Sequence, residues 1–299
     1  MLISVIICTY NRSGGLLTLL RNLEELDVPP CIEREFLVID NNSTDATRTV
    51  CEPFAQKYSG TYRYIFEGRQ GKCFALNTGI RNAKGDILAF TDDDCIPDRR
   101  WLAAIAEEFV ANPPLAALGG RVELFDDNHK PFTIITRTDR MIITTASQIL
   151  QNPHIYGCNL AVHRRALSAV EGFDLGLGPA TRSLSNEDVD FLYRIYRKKL
   201  PIAYSPEVLV YHNHGRTKDS EIEALKYAYT IGRGAVYCKH ILDKDVLKLA
   251  YWAVSSSLAN ILKFPFSMKT FKKEMGYLSP LLRGAYFRLL NDFLPGKNV

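Results

Sequence analysis

Between Ser4 and Thr91 the chain repeats one pattern: a short apolar run, a polar turn, then a stretch of helical periodicity. Ser4–Thr9 ends in Tyr10-Asn11-Arg12-Ser13. Leu16, Leu17, Leu19, Leu20, Leu23 and Leu26 follow, forming the broad apolar face of a helix. Glu35–Ile39 ends in Asp40-Asn41-Asn42-Ser43, and Ser43 or Thr44 stands where it can cap a helix running to Lys57. Thr61–Phe66, a helix over Gly71–Asn82, and a strand over Asp86–Thr91 complete the series. This alternation predicts a largely parallel sheet with helices on both faces. In such sheets ligands bind beyond the carboxyl ends of the strands, so chemistry is expected in the polar residues just after them.

The rest of the chain is less regular. From Leu115 to His212 it offers strand candidates at Ala117–Phe125 and Val208–Tyr211, Gly-rich loops, and a helix over Asn186–Lys198; from Ile222 it is mostly helical. With 299 residues, 46% hydrophobic and 23% charged, the chain can bury one large domain or a domain with an appendage. The segment Met1–Ile7 lacks the basic flank of a signal peptide and reads as a buried strand. The seven cysteines contain no C-x-x-C pair, which favours reduced thiols in the cytosol over a disulfide framework or a zinc site.

Asp92-Asp93-Asp94 directly follows the apolar run Ile87–Thr91. Three adjacent carboxylates raise one another's pKa unless a cation neutralises them. If the backbone stays extended, Asp92 and Asp94 share a face and Asp93 points away. Two such carboxylates suit Mn2+ or Mg2+, which prefer oxygen ligands and leave room for a diphosphate. A solvated acidic turn has the same sequence. Asp40 holds the matching place after the second strand. There it can accept the ring N–H of uracil, thymine or guanine, or simply close an Asx-turn.

Taken together, the blocks resemble a known family. Ser4–Arg12, Phe36–Asp45, Gly71-Lys72 with Ala75–Ile80, Gly85-Asp86-Ile87, and Asp92-Asp93-Asp94 look like the opening motifs of family 2 glycosyltransferases with the GT-A fold. Gly157-Cys158-Asn159, Arg164-Arg165, Gly172-Phe173-Asp174, and Glu187-Asp188-Val189-Asp190 with Arg194 resemble their acceptor-side motif. The resemblance implies an α/β GT-A domain over 1–225, its sheet mixed and mostly parallel. Within it, 1–100 would be the nucleotide-sugar half and 101–225 the acceptor half, followed by a basic helical extension over 226–299. It implies that Thr9, Tyr10, Arg12 and Asp40 lie around the nucleotide base. Lys72, Asn77, Asp92 and Asp93 would stand at the donor, and Asp94, Asp92 and His212 at a Mn2+ or Mg2+ ion, with His214 as the fallback. Asp188 would be the catalytic base, at the start of a helix whose dipole favours the carboxylate.

The implied reaction is inverting transfer of one sugar from a nucleotide-diphosphate donor, a UDP-sugar first, to a hydroxyl of a glycan or lipid-linked acceptor. Bacterial surface polysaccharide or glycoconjugate synthesis is its expected setting. A non-catalytic nucleotide-sugar-binding subunit of an assembly complex is the alternative. The Gly-rich loop of a sugar-nucleotide pyrophosphorylase is absent, and so is the Q-x-x-R-W element of processive synthases. Three departures from the family pattern stand out: Thr91 where an apolar residue is usual, Glu171 for a glycine, and Lys199-Leu200 for a turn glycine.

Charge is uneven. Residues 226–299 hold 12 Lys and Arg against 4 Asp and Glu, a net +8, which leaves −4 for 1–225. The stretch Leu249–Leu262 is too short to span a bilayer, which takes about 20 residues. Tyr277–Leu294 interleaves aromatic and aliphatic residues with Arg283 and Arg288. The expectation is a cytoplasmic protein resting peripherally on the inner face of the membrane through this region, with simple packing on the catalytic domain as the other reading. The sequence carries no nucleic-acid motif and leaves oligomeric state open.

Overall fold

The computed structural model describes residues 1–263 and 267–293. The expected alternation is present as β1 (Leu2–Thr9), α1 (Ser13–Glu24), β2 (Glu33–Asp40), α2 (Thr47–Lys57), β3 (Tyr62–Phe66), α3 (Lys72–Asn82) and β4 (Ile87–Asp92). Next come β5 (Cys95–Pro97), α4 (Trp101–Ala111), β6 (Ala117–Leu124), β7 (Met141–Ile142) and α5 (Ser147–Leu150). They lead to β8 (Leu160–His163), α6 (Arg164–Val170), α7 (Glu187–Arg197) and β9 (Ile202–His212). The C-terminal helices are α8 (Asp219–Lys239), α9 (Lys244–Leu262) and α10 (Met268–Phe293).

The strands form one mixed sheet in the order β3-β2-β1-β4-β8-β6-β9-β5, with β7 paired to β9. The pairings from β3 to β4 are parallel, whereas β8 runs antiparallel to both β4 and β6. Successive side chains of a strand face opposite sides, and β1 divides accordingly. Ile3, Val5 and Ile7 join a core with Leu16, Leu20, Trp101 and Ile105, while Ile6 joins one with Leu76, Phe90 and Phe191. Both faces of β1 are thus covered, which is why its sequence is an unbroken apolar run rather than an alternating one.

Strand β9 starts six residues before the run visible in the sequence. Its pairing with β6 slips between Gly120 and Arg121, so Ser205 and Leu209 pair with adjacent residues and Pro206 falls in a bulge. Asn159 secures this region by donating from Nδ2 to the Val208 and Arg121 carbonyls and accepting from Trp101 Nε1.

Helix α2 begins later than Ser43 or Thr44 would allow, and neither caps it. Asp45 accepts the Thr47 amide at 3.0 Å instead. Ser43 and Thr44 bind Asn11, accepting its amide and donating to its Oδ1 respectively, which ties the loop after β2 to the loop after β1.

The division read at 225/226 falls inside α8. That helix crosses α10 closely: a Cβ on Gly234 would lie 1.9 Å from the Leu281 carbonyl oxygen, and one on Gly284 1.8 Å from that of Ile231. Ion pairs bind these helices to the sheet domain. Asp190 of α7 is fully buried among Arg194, Lys239 and His240, and Asp174 pairs with Lys239 and Arg288. Leu294, read as the end of the aromatic stretch, lies outside the described residues.

Candidate active site

A cavity of about 730 Å³ opens at the carboxyl ends of β1 and β4. Thr9, Tyr10 and Arg12 reach it from the end of β1, Lys72 from the first turn of α3, Asp92 from the end of β4, and Asp93 and Asp94 from the turn beyond. His212 enters from the end of β9 and Asp188 from the first turn of α7.

The chain leaves the extended form at Asp93, so the expected alternation of the three carboxylates does not occur. Asp93 does not point away: it accepts the Thr9 hydroxyl at 2.7 Å and lies 3.5 Å from Arg12. Asp92 pairs with Lys72 Nζ at 2.9 Å. Asp94 pairs with Arg12 at 2.9 Å and lies 3.4 Å from His212 Nε2. Lys72 thus faces Asp92, while Arg12 is shared by Asp93 and Asp94 and His212 adds to it at Asp94, which reduces the mutual repulsion. Burial pushes Asp93 up to about 6, against the pull of Arg12. Burial also acts on Asp94, but His212 and Arg12 outweigh it and hold the carboxyl well below the usual range. On His212, burial is outweighed in turn by Asp94, and the imidazole rises to about 9.

His214 does not line the cavity but packs edge-on against His212, ring centroids 5.1 Å apart. Its Nδ1 accepts the Arg216 amide, its ring lies 5.1 Å from that of His129, and burial beside His212 lowers it to about 4.

Asp94, Cys95 and His212 bring ligand atoms within 4.8 Å of one another. A hydrogen bond with Cys158 and burial raise the Cys95 thiol far above its ordinary value, and a soft sulfur ligand does not suit Mn2+ or Mg2+. The remaining carboxylate oxygen and imidazole nitrogen suit Mn2+ or Mg2+, with positions left for phosphate oxygens.

Asn186, in the left-handed region at φ 69°, turns the chain into α7. Asp188 Oδ2 then accepts the Gly157 amide at 2.7 Å, and its Oδ1 accepts the Val189 amide at 2.8 Å. Burial raises its pKa although the Gly157 amide and Lys72 oppose it. Glu187, named within the motif but given no role, also lines the cavity 3.6 Å from Lys72. Burial lifts it to about 7.

Two nominated residues lie outside the lining. Asp40, 2% exposed, accepts the Ser43 amide at 2.9 Å and the Tyr64 hydroxyl at 2.6 Å, the first of these closing an Asx-turn. Asn77 makes paired hydrogen bonds with the backbone of Phe173 and so fixes the Gly172-Phe173 loop against α3. Asn41 lines the cavity instead and accepts the Gly71 amide at 2.8 Å, positioning the start of α3. Leu225, Ala228, Tyr229 and Arg233 of α8 also line it, and the sequence reading passed over them. Nothing in their spacing distinguishes a helix that walls a cavity from one packed on a core.

A second hollow of about 550 Å³ lies at the opposite ends of the strands, around Leu2, Glu33 and Glu35. Its buried carboxylate, Glu35, is fully engaged by Ser4, Arg63 and the Lys84 amide.

Residues 4–170 match the pattern that defines glycosyl transferase family 2. The chain belongs to that family. Among family 2 and related proteins it is 34% identical over 121 residues to glycosyltransferase AglE of Haloferax volcanii, covering 40% of this chain and 39% of AglE. It is 27% identical over 220 residues to the succinoglycan biosynthesis protein ExoM of Rhizobium meliloti, covering 70% of this chain and 66% of ExoM. It thus spans between about two-fifths and two-thirds of the length of these curated relatives. Mannosyltransferase PcManGT from Pyrobaculum calidifontis, in complex with GDP-Man and Mn2+, shares its fold with a TM-score of 0.65, covering 97% of this chain and 87% of that one at 20% identity. The expected GT-A fold is therefore present. Among the described residues no helix is long and apolar enough to cross a membrane.

Proposed function

We propose that the chain is an inverting, metal-dependent glycosyltransferase that moves a single sugar from a nucleotide-diphosphate donor to an acceptor hydroxyl. The observation that carries this reading is the sharing of one cavity by the Asp94–His212 pair and the half-buried carboxylate Asp188. Asp94 and His212, with Asp92 beside them, would hold Mn2+ or Mg2+. Such an ion acts as a Lewis acid toward the leaving diphosphate. Arg12, Lys72 and Arg216 add positive charge to the cavity lining. Asp188 takes the proton from the attacking hydroxyl, and its two backbone hydrogen bonds fix the orientation in which it does so. A single displacement inverts the anomeric carbon. A retaining double displacement needs a second carboxylate free to act as nucleophile; Glu187, beside Asp188, is engaged with Lys72.

We keep uracil, thymine or guanine as the expected base; Asp40, outside the cavity lining, serves that end of the site by holding the loop after β2 through Ser43 and Tyr64. We assign the acceptor to a glycan or lipid-linked hydroxyl. We assign membrane contact to α9 rather than to the stretch 277–294, because Arg288 is committed to Asp174 and Asp292.

The test is Asp188→Asn. Sugar transfer should fall by at least about a hundredfold, the usual scale of general-base catalysis, while nucleotide affinity stays within twofold. Unchanged transfer would remove Asp188 as the base; absent transfer in the wild type with normal donor binding would favour the non-catalytic subunit.

A further inference from the structure

Four cations line the cavity: Arg12, Lys72, Arg216 and Arg233. Arg12 and Lys72 are matched by Asp93, Asp94, Asp92 and Glu187. Arg216, four residues beyond His212, also lines the cavity and, among the described residues, forms no ion pair. Arg233 differs from Arg12 and Lys72 in having no counter-charge, and from Arg216 in having a solvent-shielded Nε with no partner. It belongs to α8, and among the described residues it forms no ion pair. Its Nη2 reaches only the Gln151 carbonyl, at 3.4 Å, and its solvent-shielded Nε has no partner.

The placement of Arg233 is rigid. Leu225, Tyr229 and Arg233 recur at four-residue spacing, so one face of α8 looks into the cavity. Tyr229 stacks on Phe132 with ring centroids 5.8 Å apart. Tyr229 and Asp188 line the same cavity, so this face of α8 shares the space with the proposed catalytic base. Two contacts lock α8 to the entry of α7. Ser185 Oγ donates to the Ala228 carbonyl at 3.0 Å, and Gly232 sits so close that a Cβ would lie 2.4 Å from Ser185 Oγ and Asn186 Oδ1. Arg233 is therefore held relative to Asp188 by the residues that start the same helix.

We propose that Arg233 is an anion subsite for the acceptor: it binds a phosphate or carboxylate group carried by the molecule whose hydroxyl Asp188 deprotonates. A partly buried guanidinium without a counter-charge is costly, and an acceptor oxyanion removes that cost when it binds. The planar fork of arginine matches either group through two parallel hydrogen bonds. Leu184, Pro153 and Leu225 nearby supply apolar wall for the rest of the acceptor. The inference rests on the glycosyltransferase reading and adds the chemical class of the acceptor to it.

The experiment titrates butyl phosphate, methyl glucuronoside and methyl glucoside into the full chain saturated with Mn2+ and the nucleoside diphosphate it binds, so that the donor-side cations are occupied. Wild type, Arg233→Ala and Arg233→Lys are compared by calorimetry. The wild type should bind one of the two anions about tenfold or more tighter than the neutral glucoside, the scale of a charge-assisted hydrogen bond. Arg233→Ala should abolish that preference and Arg233→Lys should keep part of it. A preference for the phosphate names a phosphate-bearing acceptor; one for the glucuronoside names an acidic sugar. If the wild type prefers neither anion, or if Arg233→Ala retains the preference while nucleotide affinity is normal, the anion subsite is overturned and the glycosyltransferase reading stands. Failure of every nucleotide to bind removes that reading and the subsite with it.

Discussion

Thr91, one residue before the acidic turn, is 2% exposed, and its hydroxyl has no hydrogen-bond partner among the described residues. A buried hydroxyl without a partner costs about 1–3 kcal/mol. Thr91→Val keeps the shape and removes the polar atom, so it should raise stability by about 1 kcal/mol, read as a higher urea midpoint with unchanged slope. A loss of that size would show that the hydroxyl is satisfied in the working protein. The other two departures from the family pattern also have physical content: Glu171 and Lys199 both adopt positive φ, at 61° and 55°, where glycine carries no Cβ penalty. At this scale Thr9, Arg12, Lys72, Asp92, Asp94, Asp188 and His212, the positions that the resemblance implied, all line one cavity, each at or just after a strand end or in the first turn of a helix. The sequence reading misread Asp93, since the period of two holds only while the backbone stays extended. Asp40 closes the Asx-turn that the sequence offered as its other reading and adds Tyr64, whereas Asn77 turns to the Phe173 backbone, which no spacing rule reveals.

The elements of the first ninety residues could be read because each strand of a doubly covered sheet is a continuous apolar run. Strand β8 could not: Leu160–His163 is only four residues long and its partners lie more than forty residues away. Strand β9 was seen in half because the bulge at Pro206 interrupts its pattern. Helix α7 is fastened to α8 by Asp190, whose carboxyl is held well below its usual range: burial would raise it, but His240, Lys239 and Arg194 prevail. A carboxyl depressed in the folded state stabilises fully above its unfolded pKa of about 3.9 and loses that contribution as pH falls toward the folded value. Asp190→Asn should thus cost about 3–5 kcal/mol at pH 7, the scale for breaking a buried pair. The gap to wild type should narrow below about pH 4 in urea titrations; a gap independent of pH would mean that the ion pairs are not the fastening. Helix α9 exposes Leu247, Tyr251, Leu258 and Leu262 on one face beside Lys244 and Lys248, with Val246, Ala253 and Ser257 buried opposite. Sedimentation with phosphatidylglycerol vesicles should exceed that with phosphatidylcholine and fall about tenfold or more in Tyr251→Glu with Leu258→Glu. Equal sedimentation with both lipids, or none, would contradict membrane contact through this face.

In the whole molecule, the basic C-terminal helices are not an appendage. They are pinned to the sheet domain through Asp174 and Asp190 and contribute α8 as one wall of the cavity. Composition registered their charge but not this role, because a helix face that closes a cavity has the same apolar spacing as one that closes a core. The account as a whole depends on the cavity being a donor site with Asp94 at its centre. Calorimetry of UDP, dTDP, GDP and CDP, with and without Mn2+, on the wild type and on Asp94→Ala tests this most directly. The account predicts that one of UDP, dTDP or GDP binds about tenfold or more tighter with Mn2+, the scale of a lost charge-assisted contact, that CDP does not, and that Asp94→Ala loses the metal-dependent part. Binding that ignores both Mn2+ and Asp94, or no binding of any nucleotide, would contradict it.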